Sequence, residues 1–235
     1  MRSGAEERSL ARIAPRLYTL ADGDTLGLDR VPEAAEAMAR AGVRWVQLRR
    51  KSGSDAERWA AASESVRRLE GSGALVWIDD RADLAALLPS TAVHVGQNDL
   101  PPWAARRVVG GGRLIGRSCH DAEQVREADL DPDVDVIAIG PVFATASKRN
   151  PEPTVGLEGV SAARRLTGKP LVAIGGITAE TAARARAAGA DTVAVLSAAY
   201  GRAGEAGGGG IEASGGGIEA SCRHLAAVLK EEEDP

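Results

Sequence analysis

The chain has 235 residues, 44% hydrophobic and 26% charged, with a formal net charge of −4. That balance suits one large domain or two small ones with a sizeable core, and a weakly acidic chain without a Lys/Arg run lacks a nucleic-acid footprint. Cys119 and Cys222 match no metal or redox spacing and no apolar stretch approaches the ~20 residues of a membrane span, so a cytoplasmic protein with no membrane partner is expected.

Residues 1–14 mix acids and bases without the apolar centre of a leader, and predict a poorly ordered N-terminal segment. From residue 15 short Val/Ile/Leu-rich runs alternate with longer Ala/Arg/Glu-rich segments of helical spacing. The predicted strands are RLYTLAD, RWVQLRR, ALVWIDD, AVHVGQ, LIGRSC, VDVIAIG, PLVAIGGI and TVAVLSA. They are nearly continuous apolar runs, as parallel strands covered on both faces require. Helices such as PEAAEAMARAG, DAERWAAASESVRRLEG, DAEQVREADL and AETAARARAAG lie between them, several starting at Ser, Thr, Asp or Pro and stopping at Gly. This pattern predicts an α/β fold, a single (β/α)8 TIM barrel over residues 15–235. A doubly wound open sheet is the alternative, because alternation alone does not prove closure. Residues 201–221 break the pattern with GGGIEAS twice in tandem, which predicts a flexible Gly-rich insertion, a tolerated duplication or a lid, before a last helix CRHLAAVLKEEE.

In such a barrel the polar residues at the carboxyl ends of strands face the active site. On the second strand Gln47, Arg49 and Lys51 have period two and point one way; together they suit a multiply charged phosphate, or else form a solvated strand end. Arg50 beside them is expected to be a surface charge. The third strand ends in Asp79 and Asp80, the fourth in Gln97 and Asp99. Asp80 and Asp99, on neighbouring strands, suit Mg2+, which binds through one or two carboxylates plus waters and substrate phosphates. Asp80 also precedes RADLAALL as a helix cap would. The fifth strand presents Ser118 and His120, the latter a candidate acid or base, whereas His94 and His224 are expected to be structural. GPVFATASK closes the sixth strand with Thr145, Ser147 and Lys148, suited to a small anion or to a plain turn. AIGGIT and AVLSAA end the last two strands with Gly175, Gly176 and Ser197, where backbone amides can cradle phosphate.

VQLRRK, DDRADLA, VHVGQNDL, IGRSCH, GPVFATASK, GLEG, VAIGGIT and AVLSA, in this order and spacing, resemble the thiamine phosphate synthase family and its sister group, the thiazole tautomerases, over about Arg16 to Ala199. The resemblance implies a Mg2+-dependent transferase. It would join 4-amino-2-methyl-5-(diphosphooxymethyl)pyrimidine to 4-methyl-5-(2-phosphooxyethyl)thiazole, releasing pyrophosphate. By the same resemblance Gln47, Arg49 and Lys51 hold the pyrimidine diphosphate with Asp79 beside them, Asp80 and Asp99 ligate Mg2+, and Ser118 contacts the pyrimidine. Thr145 and Ser147 lie by the thiazole phosphate, Lys148 lies by the departing diphosphate, and Gly176, Leu196 and Ser197 complete the phosphate cradle. Arg49, Lys51, Lys148 and Ser118 are then the catalytic residues. The chain departs from the family pattern at Asp79, where Asn is usual, at Arg50, where an acid is common, at Arg117, where a small apolar residue is common, and at Ser147, where Thr is usual. Retention of the diphosphate set favours the synthase over a metal-independent tautomerase using His120, and over a non-catalytic barrel that binds a phosphorylated ligand. The partners implied are the two small phosphorylated substrates; a homo-oligomer stays open.

Overall fold

The computed structural model describes residues 14–145, 152–201 and 215–230. Residues 1–13, where a poorly ordered start is expected, lie outside them. The described residues form strands β1 (Leu17–Asp22), β2 (Trp45–Arg49), β3 (Leu75–Asp79), β4 (Thr91–Val95), β5 (Ile115–Cys119), β6 (Val136–Ile139), β7 (Leu171–Ile174) and β8 (Thr192–Val195). Each pairs in parallel with the next, and β8 pairs with β1, so the sheet is a closed barrel rather than an open one. The covering helices are α1 (Val31–Arg40), α2 (Asp55–Leu69), α3 (Ala82–Leu87), α4 (Pro102–Val109), α5 (Ala122–Leu130), α6 (Gly156–Leu166), α7 (Ala179–Ala187) and α8 (Gly215–Val228). Among the described residues no helix is long and apolar enough to cross a membrane.

Strand side chains alternate between two cores. Outward residues such as Val46, Ile78, Val93 and Ile137 pack against the helices. Inward residues Tyr18, Leu20, Trp45, Trp77, Ala92, Val136, Ala138, Val172 and Ala194 fill the barrel. Only 3% of the chain is aromatic, yet three large rings from β1–β3 meet inside it. Their centroids are 5.6 Å apart for Tyr18–Trp45, 5.7 Å for Tyr18–Trp77 and 5.0 Å for Trp45–Trp77. The strands opposite contribute alanines, so bulk on one wall is matched by small residues on the other.

The amino-terminal side carries two copies of one clamp. Asp135, just before β6, accepts from Arg106 Nη2 of α4 at 2.7 Å and from the Ile115 N–H of β5 at 2.8 Å, both at Oδ2. Asp191, just before β8, accepts from Arg164 Nη1 of α6 at 2.7 Å and from the Leu171 N–H of β7 at 2.8 Å, again at one oxygen. In each, a helix arginine reaches the acid that starts the next strand but one, and so pins two strands and a helix together.

The last helix begins earlier than the composition of the Gly-rich segment suggests. Residues 215–221, the second GGGIEAS copy, form its first two turns, whereas residues 202–214 lie outside the described residues. Ile218, Cys222, Leu225 and Leu229 recur at helical spacing and are all buried. That stripe outweighs the glycine cost of about 1 kcal/mol each relative to alanine.

Arg106→Ala removes the guanidinium that pairs with the fully buried carboxylate of Asp135, and should cost about 3–5 kcal/mol in urea unfolding. Arg223→Ala removes only an exposed pair with Glu219 on α8 and should leave the urea midpoint unchanged, because solvent screens such a pair.

Candidate active site

Inward parity carries the barrel interior up to its carboxyl-end mouth. Trp45 is followed by Gln47, Arg49 and Lys51, Trp77 by Asp79, Ala92 by His94, and Ala194 by Leu196. Gln47 is buried and donates from Nε2 to the Tyr18 hydroxyl at 2.8 Å, which ties the lowest polar layer to the aromatic floor. Arg49 Nη1 donates to Asp22 Oδ1 at 2.7 Å, with Asp24 Oδ2 at 3.7 Å and Asp79 Oδ2 3.9 Å from Nε. The Lys51 ammonium sits 2.9 Å from Asp79 Oδ2 and also contacts Asp80 Oδ2. The predicted cationic pair is therefore assembled, but it is already held by acids.

Asp22 and Asp24 were not singled out from the sequence. The signal was present in the acid that closes the first strand, LYTLAD. Asp22 is buried; its N–H donates to the Tyr200 hydroxyl at 2.8 Å, and that hydroxyl donates to Leu20 O at 2.6 Å. The turn after β8 is thereby bonded to the end of β1. Asp24 accepts the Lys51 N–H at 2.8 Å.

Parity alone would send Asp79 inward and Asp80 outward. Asp80 instead has φ +61°, a left-handed conformation costing about 1–2 kcal/mol outside glycine, and its carboxylate joins Lys51 with Asp79. It does not cap α3: the N-cap residue is Arg81, and no side-chain cap bond is made there. Asp99 accepts the Gly96 N–H at 2.8 Å. Burial and then the neighbouring Asp80 push the Asp99 carboxyl above the ordinary carboxylate range, against the Gly96 amide and Lys51. Burial pushes Asp79 up as well, opposed by Lys51 and Arg49.

Asp80 and Asp99 are thus two hard oxygen donors that repel each other, the donor set that Mg2+ accepts when waters and phosphate oxygens complete its shell. No group of three or more metal-ligating side chains occurs among the described residues. The charge at the mouth is unbalanced: Asp22, Asp24, Asp79, Asp80 and Asp99 surround Arg49 and Lys51. An anion entering here needs positive charge beyond those two side chains.

The opposite rim is less charged. Ser118 Oγ lies 2.9 Å from His94 Nε2, and the Ser118 carbonyl accepts from Gln97 Nε2 at 2.5 Å. Burial, with Lys51 nearby, pushes the His94 imidazole down to about 4. His120 Nδ1 is 2.7 Å from Gly140 O, an acceptor, so this nitrogen carries the ring hydrogen and Nε2 is left for other partners. Arg117 faces away from the mouth and pairs with Glu127 of α5 at 3.0 Å.

The Gly175–Gly176 pair is demanded by a close approach. Their φ values are +99° and +65°, and a Cβ on Gly176 would lie 2.4 Å from Ala144 O. Val142 and Phe143 donate to Ile174 O and Gly175 O at 2.9 Å each, so the chain after β6 lies over the end of β7. Half-buried Thr145 ends that described stretch; Ser147 and Lys148 lie outside the described residues. Leu196 is half-buried and Ser197 exposed at the start of the 3-10 turn Ser197–Tyr200, on the strand beside Gly176.

A family model described as thiamine monophosphate synthase matches residues 17–199. The thiamine-phosphate synthase of Koribacter versatilis (strain Ellin345) is 46% identical over 187 residues, covering 78% of this chain and 88% of that protein. The one from Synechococcus sp. (strain WH7803) is 44% identical over 184 residues, 78% of this chain but 52% of the relative, so the chain spans about half its length. The structure of thiamine phosphate pyrophosphorylase from Pyrococcus furiosus superposes with a TM-score of 0.77 at 25% identity, covering 93% of this chain and 97% of that one.

Because the Asp99 carboxyl is raised in the folded state, its charged form opposes folding. That penalty is absent below about pH 4, where folded and unfolded chains both hold the proton, and is complete once pH has passed the folded value. Asp99→Asn in metal-free protein should therefore raise Tm at about pH 7 and leave it unchanged at about pH 3. Thermal melts at the two pH values check this, and a lower Tm at neutral pH would reverse the sign.

Proposed function

This chain belongs to the thiamine monophosphate synthase family, and on that premise we propose that its barrel mouth joins a pyrimidine carrying a diphosphate to a phosphorylated thiazole, giving thiamine phosphate and pyrophosphate. The protein is a transferase of this family. The observation that carries the proposal is the convergence of Arg49 and Lys51 with the Asp80–Asp99 pair at one side of the mouth.

In the proposed reaction the pyrimidine methylene loses its C–O bond, with the electron pair leaving on pyrophosphate, and the thiazole nitrogen lone pair forms the new C–N bond. No proton has to move for this exchange, so the demand on the protein is charge neutralisation and alignment. Arg49 offers a fork to the diphosphate oxygens, anchored from behind by Asp22. Lys51 exchanges its carboxylate partners for phosphate. Asp80 and Asp99 would hold Mg2+, which when bound neutralises developing charge on the leaving group. The five carboxylates around two cations support this, because diphosphate alone would meet net repulsion. Gln47 orders the diphosphate side and Ser118 the pyrimidine. Thr145, Ser147, Gly176, Leu196 and Ser197 would receive the thiazole phosphate, with Lys148 by the departing group. The free, buried thiols of Cys119 and Cys222 suit a reducing compartment, and we place the protein in the cytoplasm.

Purified protein should release pyrophosphate only with both substrates and Mg2+ present, and chelation should stop it. Asp99→Ala should lower kcat by at least about a hundredfold, whereas Asp79→Asn, which removes one negative charge beside Lys51, should retain or raise activity. Equal rates for wild type and Asp99→Ala would overturn the metal assignment. No pyrophosphate release from saturating substrates would overturn the synthase.

A further inference from the structure

We propose that His94 is a positioning residue: its Nε2–H donates to Ser118 Oγ and so turns the Ser118 hydroxyl hydrogen toward the ligand, making Ser118 a hydrogen-bond donor to a ring nitrogen of the pyrimidine. The ligand's identity rests on the synthase proposal above; the direction of the His94–Ser118 bond does not.

His94 lies in register with Asp79 on one side and Gly116 on the other, and it faces inward. It is 8% exposed, with the Trp77 ring centroid 6.4 Å from its own. Its two nitrogens have different surroundings. Nε2 is 2.9 Å from Ser118 Oγ. Nδ1 is buried with no hydrogen-bond partner among the described residues. It lies over Gly116, where a Cβ would come within 2.3 Å of it, so the glycine is what admits the ring. Placing the ring hydrogen on Nδ1 would bury an unpaired donor, the rarer and costlier defect; placing it on Nε2 leaves only an unpaired acceptor. A doubly protonated ring would donate from Nε2 in the same way, so the polarity of the bond does not depend on the ring's charge.

A serine hydroxyl has one hydrogen and two acceptor sites. With one acceptor site filled by His94, the hydrogen of Ser118 has no protein acceptor among the described residues. A pyrimidine ring nitrogen, an acceptor without a hydrogen, is its complement. His94 thus sets which way Ser118 can bond, and an acceptor on the ligand is favoured over a donor there.

Long-range 1H–15N correlation spectra of the full chain, with His94 assigned through His94→Gln, test the bond directly. A hydrogen on Nε2 is expected, and an Nδ1–H tautomer would overturn the proposal. In kinetics, His94→Leu should lower kcat/KM for the pyrimidine by about tenfold or more and leave KM for the thiazole unchanged. His94→Gln, whose amide can still donate, should recover most of the loss. The His94→Leu/Ser118→Ala double variant should be no slower than Ser118→Ala, because one residue acts through the other; losses that multiply would overturn the proposal. A wild-type chain that turns over neither substrate would overturn the synthase instead, and the tautomer would still decide the direction of the bond.

Discussion

Closure of β8 onto β1 is the constraint on which the other features rest. A closed parallel barrel has no edge, so its interior can be filled only by alternate side chains. Bulk at Tyr18, Trp45 and Trp77 must be matched by small residues on the facing strands. The same alternation, continued two to six residues further along, delivers Gln47, Arg49, Lys51, Asp79, His94 and Ser118 to one mouth. Packing below and chemistry above are one pattern, and the Gln47–Tyr18 bond joins them.

The mouth works against the stability of the fold. Asp80 and Asp99 face each other, and the Asp79 carboxyl is pushed up by burial beside them. Asp80 reaches its place through a left-handed backbone. Stability is recovered elsewhere, in the two Arg–Asp clamps at the amino-terminal side, where each carboxylate accepts from one helix arginine and one backbone amide. This division fits the general behaviour of such barrels, in which one end carries function and the other carries stability.

His94 shows how a residue inside a strand can act on a ligand through its neighbour Ser118 rather than by touching it. Its contact with Ser118 depends on the absence of a side chain at Gly116, so three positions on two strands define one hydrogen bond. Nothing local to AVHVG or LIGRSC marks that relation.

By itself the sequence determined the alternation of strand and helix and the strand ends that bear Arg49, Lys51, Asp80, Asp99 and Ser118, because period and composition act over a few residues; that the sheet closes, as the barrel reading expected, was decided by the pairing of β8 with β1. The family resemblance extends over nearly the stretch that the family model matches. Other features needed the tertiary structure, because they come from residues far apart in the chain. Asp22 and Asp24 became partners of Arg49 only when β1 and β2 paired. The Gly175–Gly176 pair proved to be room for the chain after β6. The second GGGIEAS copy turned helical because Ile218 found a core to enter, a gain that no count of glycines could weigh. Asp80, already paired with Asp99 by its place at the strand end, makes no cap of α3, because a left-handed backbone turns its carboxylate to Lys51.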